Sequence, residues 1–417
     1  MKKLFIIGLA AIFCLALAPA AMAKVTMGGM ITTDIYYMDQ SGELSARGVV
    51  QNAINTNNGV DELQINIPQA NNRVIVRYKN DDNTLTGYIE MRGGAVGGNG
   101  GGNTIDYKYA WLDYKVNDSL HFRFGRQPQA FAVFTPFAAN MGWNDGFTLL
   151  ANFGNVQVTD GDSLKMYYKF NDTVRLEVQI EDPGQDNGEA PIGFGASDAT
   201  GAVNREESNL PRFDIALPMT FGKFKLEPAF MWLQQDYDQV AAGAEDSVDI
   251  WGLSVGASMG FGPVSFWAEV IYGENLGDDT LSGAGGTPAF PYGAFAAMGR
   301  PVDSNGDGIV AEIEDSTFFG GWIQMGINFG PATLLTAIGF ESIENDGTSL
   351  MAANDDMEVD RMGIAVSLPI KVAKNFTIQP AVIYHDYDDS AKDGVNNPLT
   401  VDLGDEVLIG VQFSLKF

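Results

Sequence analysis

The chain has 417 residues, 45% of them hydrophobic and 49 of them glycine, with 25 Lys plus Arg against 53 Asp plus Glu and a formal net charge of -28. Such an excess of carboxylates excludes nucleic acid as a partner, because affinity for a phosphate backbone rests on cationic side chains. The single cysteine, Cys14, lies in the first segment, so a chain that has lost that segment has no disulfide and no thiolate metal site.

That first segment, residues 1–23, has Lys2 and Lys3, an apolar run over 4–18, Pro19 and a small-residue end at Ala21-Met22-Ala23. It reads as a secretory signal cleaved after Ala23. The run is short of a bilayer span, which argues against a membrane anchor, and Cys14 has no lipobox neighbours, which argues against a lipoprotein. Cleavage leaves 23 Lys plus Arg against the 53 acids, a net charge of -30. Residues 24–417 contain no Pro or Ser tract and no break in composition, so they read as one architecture rather than two or three soluble domains.

Apolar and polar side chains then alternate along most of the chain, the period of a strand whose two faces meet different surroundings. The first predicted strand covers 25–37 and is followed by an Asn-rich loop. The second, long or broken, covers 62–80 and sets Val74, Val76 and Tyr78 against Arg73, Ile75, Arg77 and Lys79. An Asp81-Asp82-Asn83 turn leads to Leu85, Gly87, Ile89 and Met91 against Thr86, Tyr88, Glu90 and Arg92, and a Gly-rich loop covers 93–103. The next hairpin turns at Asn117-Asp118-Ser119 and returns with Leu120, Phe122 and Phe124 opposed to His121, Arg123 and Gln127. Alternation stops past Gln127 for about thirty residues, resumes at Leu164, turns at Asn171-Asp172, and sets Val174, Leu176, Val178 and Ile180 against Arg175, Glu177, Gln179 and Glu181.

Three later hairpins share one turn, at Phe221-Gly222-Lys223, Phe261-Gly262-Pro263 and Phe329-Gly330-Pro331. The last twelve residues put Val407, Ile409, Val411, Phe413, Leu415 and Phe417 on one face, with Leu408 the one apolar exception on the other. Two uncharged or nearly uncharged runs, 250–268 and 316–340, are long enough for membrane helices. On a helix the alternating Gly252, Ser254, Gly256, Ser258 and Gly260 would scatter around every side, whereas on a strand they share a face, so hairpins are expected there.

The count is about sixteen strands, with long connections at one end and short turns at the other. A soluble sandwich also alternates, but its turns are short at both ends. Tyr37, Tyr78, Trp232, Tyr272 and Phe376 near strand ends fit the aromatic girdle of a lipid-facing barrel. The expected fold is all-β, a transmembrane antiparallel β-barrel.

With its signal peptide, about sixteen strands, a long third connection after the fifth strand and a C-terminal Phe, the whole mature chain resembles the general trimeric porins of Gram-negative outer membranes. The run Phe122-Arg123-Phe124-Gly125-Arg126-Gln127 resembles the strand end that precedes the inward-folded loop of that family. The resemblance implies that 128–161 folds into the barrel as a constriction loop, that the terminal Phe is read by the assembly machinery, and that the protein is a homotrimer in outer-membrane lipid and lipopolysaccharide passing small hydrophilic solutes. The loop's Phe131, Phe134, Phe137, Trp143, Phe147 and Phe153 are too apolar for a solvated surface.

The family sets wall arginines against loop acids. Here Arg73, Arg77, Arg92, Arg123 and Arg126 are the basic candidates, with ordinary wall polarity or ion pairs to Glu90 and Asp113 as their plainer reading. Asp145 is the sole acid over 128–159. Acidic mouth and basic neck would favour opposite ions, and the less screened neck should dominate.

Residues 303–314 match the calcium-loop pattern D-x-[DN]-x-[DN]-G-x5-E, within the long sixth connection, 276–316. Asp303, Asn305, Asp307, the Ile309 carbonyl and Glu314 supply the oxygens and Gly308 the sharp turn. No flanking amphipathic helices are evident, and an acidic Gly-rich loop fits the spacing by chance as its plainer reading. The ion would be a structural clip, and no cofactor is required otherwise. Enzymatic chemistry has little to draw on: the two histidines, His121 and His385, have no Ser, Asp or Asn arrangement around them that suggests a triad. A non-conducting barrel serving as surface scaffold or adhesin is the remaining alternative to a passive diffusion channel.

Overall fold

The computed structural model describes residues 23–40, 60–66, 72–94, 104–132, 134, 161–181, 206–207, 210–237, 247–276, 300–302, 312–345, 356–393 and 397–417. In chain order the strands of the wall are β1 (Ala23–Gln40), β2 (Val60–Asn66 and Arg73–Asn80), β3 (Leu85–Gly94), β4 (Thr104–Lys115), β5 (Leu120–Gln127), β6 (Gly161–Lys169), β7 (Arg175–Glu181) and β8 (Glu206–Glu207, Arg212–Ala216 and Met219–Phe221). They continue as β9 (Phe224–Tyr237), β10 (Ser247–Phe261), β11 (Val264–Glu274), β12 (Ser316–Asn328), β13 (Thr333–Asn345), β14 (Asp356–Ser367 and Ile370–Ala373), β15 (Phe376–Asp393) and β16 (Asn397–Lys416). Each pairs antiparallel with its sequence neighbour, and β1 closes the ring on β16 with Ile31 opposite Leu415 and Tyr37 opposite Ile409. The result is a closed sixteen-stranded barrel. The predicted second strand is indeed broken, and both of its pieces pair with β1. The runs at 250–268 and 316–340 form hairpins, β10–β11 and β12–β13.

Closure follows from the solvent on the outside. Val25, Ile31, Ile35, Leu112, Phe124, Leu253, Val255, Val270, Ile323, Val382 and Ile409 all project from the outer face and are exposed. Water-exposed side chains of this kind would each forfeit the gain of burial, whereas acyl chains accept them. In such a medium every backbone amide must bond within the sheet, and only a ring of strands leaves no edge. At the seam Phe417 and Gly29 exchange backbone hydrogen bonds of 2.9 and 3.1 Å. The Phe417 ring covers Gly29, where an added Cβ would collide with it.

The short turns repeat one device. Asn117 Oδ1 accepts from Ser119 and Leu120 amides, and Asn171 Oδ1 accepts from Thr173 and Val174 amides. Lys115 and Lys169, each three residues before an aspartate, bond Asp118 and Asp172 at 2.6 and 2.5 Å, which holds both exposed carboxyls below their ordinary value. A lowered carboxyl supports its turn above its unfolded-state value, and that support fades as pH falls through the folded one. The three Phe-Gly turns have Gly222, Gly262 and Gly330 at φ of 65°, 55° and 89°, a region that side chains avoid.

Candidate functional site

The inner face carries three unlike sectors. On β2–β7 it is basic and aromatic. Arg73, Arg77, Tyr88, Glu90 and Arg92 share one side of the β2–β3 pair, since Arg73 stands opposite Arg92 and Arg77 opposite Tyr88. Arg73 bonds the buried Glu90 at 2.8 Å, and Tyr88 donates to the same carboxylate at 2.5 Å. Arg123 bonds Asp113 at 3.1 Å, with His121 Nδ1 3.0 Å from the same group. Both ion pairs named as the plainer reading are therefore present, and the guanidinium groups keep part of their surface toward the lumen. Arg126 falls elsewhere. It alternates with Gly125 and Gln127, which continue the inward parity of Arg123, and it stands opposite Ala110 and Asp162 on the outward parity of Phe124. It is a rim residue of the outer face rather than part of the neck.

The sector formed by β8–β12 is covered by the start of the third connection. Residues 128–132 and 134 lie along the inner wall, and successive strands hold them. Lys165 on β6 donates to the Pro128 carbonyl at 2.6 Å, and Gln129 donates to Glu181 on β7 at 3.0 Å. The Ala130 amide donates to Asp214 on β8 at 3.3 Å, and the Ala132 amide to Ser254 on β10 at 3.3 Å. Beneath these bonds Phe131 is fully buried among Ala229, Met231, Leu233, Ile250, Ile271 and Leu276.

The glycines of β10 make the room. A Cβ on Gly252 would meet Phe131 at 2.7 Å, and one on Gly256 would overlap the Phe134 ring. Ala132 has φ +47°, which costs roughly 1–2 kcal/mol in an L-residue. Burial of Phe131 offsets this. Leu276, at the start of the sixth connection, joins the same cluster, and its neighbour Asn275 bonds Asp315 at 2.8 Å across the base of that connection.

A buried ion cluster anchors the stem. Arg212 donates to Asp214 at 2.9 and 2.8 Å and lies 3.3 Å from Glu181. Gln179 ties Glu181 to Ser163 through bonds of 2.7 and 3.0 Å. Lys165, Arg175, Glu181, Arg212 and Asp214 were not among the sequence candidates, although all but Arg212 and Asp214 stand on polar faces legible from alternation. On this covered part of the wall, Asp214, Glu227 and Glu269 share the inward parity of β8, β9 and β11. Asp214 and Glu269 are buried beneath the loop stem, at 0% and 1% exposure, so they hold the stem and do not face the arginines.

A second buried apolar patch, Tyr36, Met38, Leu335, Ala337, Ala365, Ile383 and Leu408, lines the inner face of β13–β16 and β1. Beside it His385 is buried, with Nδ1 3.1 Å from Glu406. Asp145 lies outside the described residues, as do Asp303, Asn305, Asp307 and Ile309. What is described at that motif is its frame: Arg300–Val302 and Glu312–Glu314 pair as a separate two-stranded hairpin, with Arg300 opposite Glu314.

A closed barrel with an apolar exterior, a charged interior and a stem of chain folded against its inner wall is the wall of an outer-membrane channel. The chain belongs to the Gram-negative porin family, which it matches over residues 8–390, and it is a passive diffusion channel of the outer membrane. No curated protein matches its sequence. Among solved structures, the outer membrane channel DcaP of Acinetobacter baumannii aligns with a TM-score of 0.63 at 16% identity, over 95% of this chain and 98% of that one. The trimer form of OmpT, an outer membrane protein of Vibrio cholerae, gives 0.54 at 12% identity, over 95% and 99%. An anion-selective porin from Comamonas acidovorans gives 0.52 at 12%, over 95% and 100%. At these identities the likeness is one of fold.

Proposed function

We propose that this channel passes ions and small hydrophilic solutes through a neck bounded by Arg73, Arg77, Arg92 and Arg123 on one side and by the 128–161 loop on the other, with a preference for anions there. The observation that carries the preference is the inward guanidinium cluster on β2–β5, where low-dielectric walls screen charge least. The acidic surface, net charge -28 for the whole chain, supplies the opposite bias at the mouth. Reversal potential in a potassium chloride gradient tests the balance: the wild type should favour chloride, and Arg123→Ala should move the potential toward the potassium limit. An unmoved potential would place the selectivity elsewhere.

The working unit is a homotrimer in lipid and lipopolysaccharide, exported through a signal cleaved after Ala23; family membership and the trimeric OmpT support the assembly. A calcium ion held by Asp303, Asn305, Asp307, Ile309 and Glu314 clips the external loop. The donor set is all oxygen, which suits calcium, and the hairpin Arg300–Val302/Glu312–Glu314 brings the two ends of the motif together. Calorimetry on refolded protein should give calcium heat that Asp307→Ala abolishes; heat that persists in the variant would count against the clip. A scaffold or adhesin role without conduction predicts silence in planar bilayers.

A further inference from the structure

We propose that the inner wall of β2–β7 is a binding track for planar aromatic carboxylates. The proposal rests on the reading of the lumen as an aqueous path and deepens it. Six consecutive strands each contribute one side chain to a single row: Arg77, Tyr88, Trp111, Arg123, Tyr167 and Arg175. The Arg77 guanidinium lies 5.1 Å from the Tyr88 ring centre, and Tyr88 and Trp111 stack at 5.1 Å with 7° between planes. Arg123 sits 3.9 Å over Trp111 and 5.0 Å over Tyr167, and Arg175 lies 5.7 Å from Tyr167 on its other side. Tyr167 is the buried floor of the row, with the His121 ring stacked on it at 4.3 Å.

Internal packing alone would match each guanidinium with a carboxylate and close the row. Here Arg77 is exposed and has no ion pair among the described residues. Arg175 is 47% exposed although it pairs with Glu177, and Arg123 is 22% exposed after giving one edge to Asp113. Three cations and three rings therefore follow one another along the wall, with Tyr88 and Trp111 adjacent, at about the 4.8 Å spacing of neighbouring strands.

A solute with a carboxylate on a flat ring matches that repeat. The ring faces are already taken within the row, so the solute's two oxygens take one guanidinium edge while its ring meets the edges of Tyr88 and Trp111 or the open guanidinium face of Arg77. An aliphatic acid engages only the charge, and a neutral ring only the ring edges. The contacts are shallow, so the solute can also leave, as passage requires.

The probe is benzoate, with cyclohexanecarboxylate and benzyl alcohol as its ring-saturated and uncharged counterparts. They are added to one side of planar bilayers holding the refolded mature chain in potassium chloride. Benzoate should interrupt the current at concentrations about fivefold below those of cyclohexanecarboxylate, and benzyl alcohol should not interrupt it. Trp111→Leu should bring benzoate to the level of cyclohexanecarboxylate, and Arg77→Gln, at the exposed end of the row, should weaken both acids alike. Equal block by the two acids, or a benzoate effect that survives both substitutions, would overturn the track while the initial current still upholds the channel. If the current itself is absent, equilibrium dialysis against the detergent-solubilised protein, corrected for empty micelles, decides: preferential retention of benzoate supports the track and equal retention of the two acids overturns it.

Discussion

Arg212→Met should lower unfolding stability by about 3–5 kcal/mol, the cost of leaving buried charge without its partner. Arg212 is 3% exposed and is the cation between Glu181 and Asp214, which are equally withdrawn from water. Removing it strands two neighbouring carboxylates. The loss should spread to the loop stem, because Glu181 accepts from Gln129 and Asp214 from the Ala130 amide. Urea titration in detergent, followed by tryptophan fluorescence, reads the first effect, and open-channel noise reads the second. Adding Glu181→Gln and Asp214→Asn to Arg212→Met should restore much of the stability, since no buried charge is then left over. A single substitution costing under about 1 kcal/mol would mean that water reaches the cluster.

Gly256→Leu should lower single-channel conductance, and Gly260→Leu should not. The two glycines stand on the same face of β10, four residues apart. A side chain at Gly256 fills the space of the Phe134 ring and lifts the stem off the wall into the lumen, whereas a Cβ at Gly260 meets nothing within 4 Å. Overpacking of this kind costs about 1–3 kcal/mol. Phe131→Ala acts from the other side of the same contact, removing about 3–5 kcal/mol of packing between stem and wall. Its expected sign is unsteady current rather than a uniformly smaller step. Equal conductance of the two glycine variants would remove the stem from the neck.

The strands were legible because lipid outside and water inside impose a period of two on nearly every one. The glycine stripe at 252–260 could be read as one face of a strand, but its purpose could not. Its occupants, Phe131 and Phe134, are about 120 residues earlier, and alternation says which side a residue faces without saying what packs there. Arg126 shows the reverse case. Counting by twos from Arg123 through Gly125 to Gln127 already places it on the outward parity; its charge alone suggested the lumen.

The row from Arg77 to Arg175 lay beyond the sequence for another reason. It needs the register of five strand pairs at once, and one residue of slip in any of them would turn a ring to the lipid. The acids that hold the loop stem were hidden for the same want of register, since Asp214 and Glu269 meet the stem only once their strands are paired.

The division of the sheet into a lipid face and a wet face is tested most directly by single cysteines, since the chain beyond Ala23 has none of its own. A charged methanethiosulfonate reagent should modify Arg77→Cys and reduce the bilayer current in steps, while Val255→Cys should react only with a lipid-soluble maleimide and leave the current unchanged. Modification of Val255→Cys by the charged reagent, or an Arg77→Cys protein that it cannot reach, would contradict the assignment of the two faces.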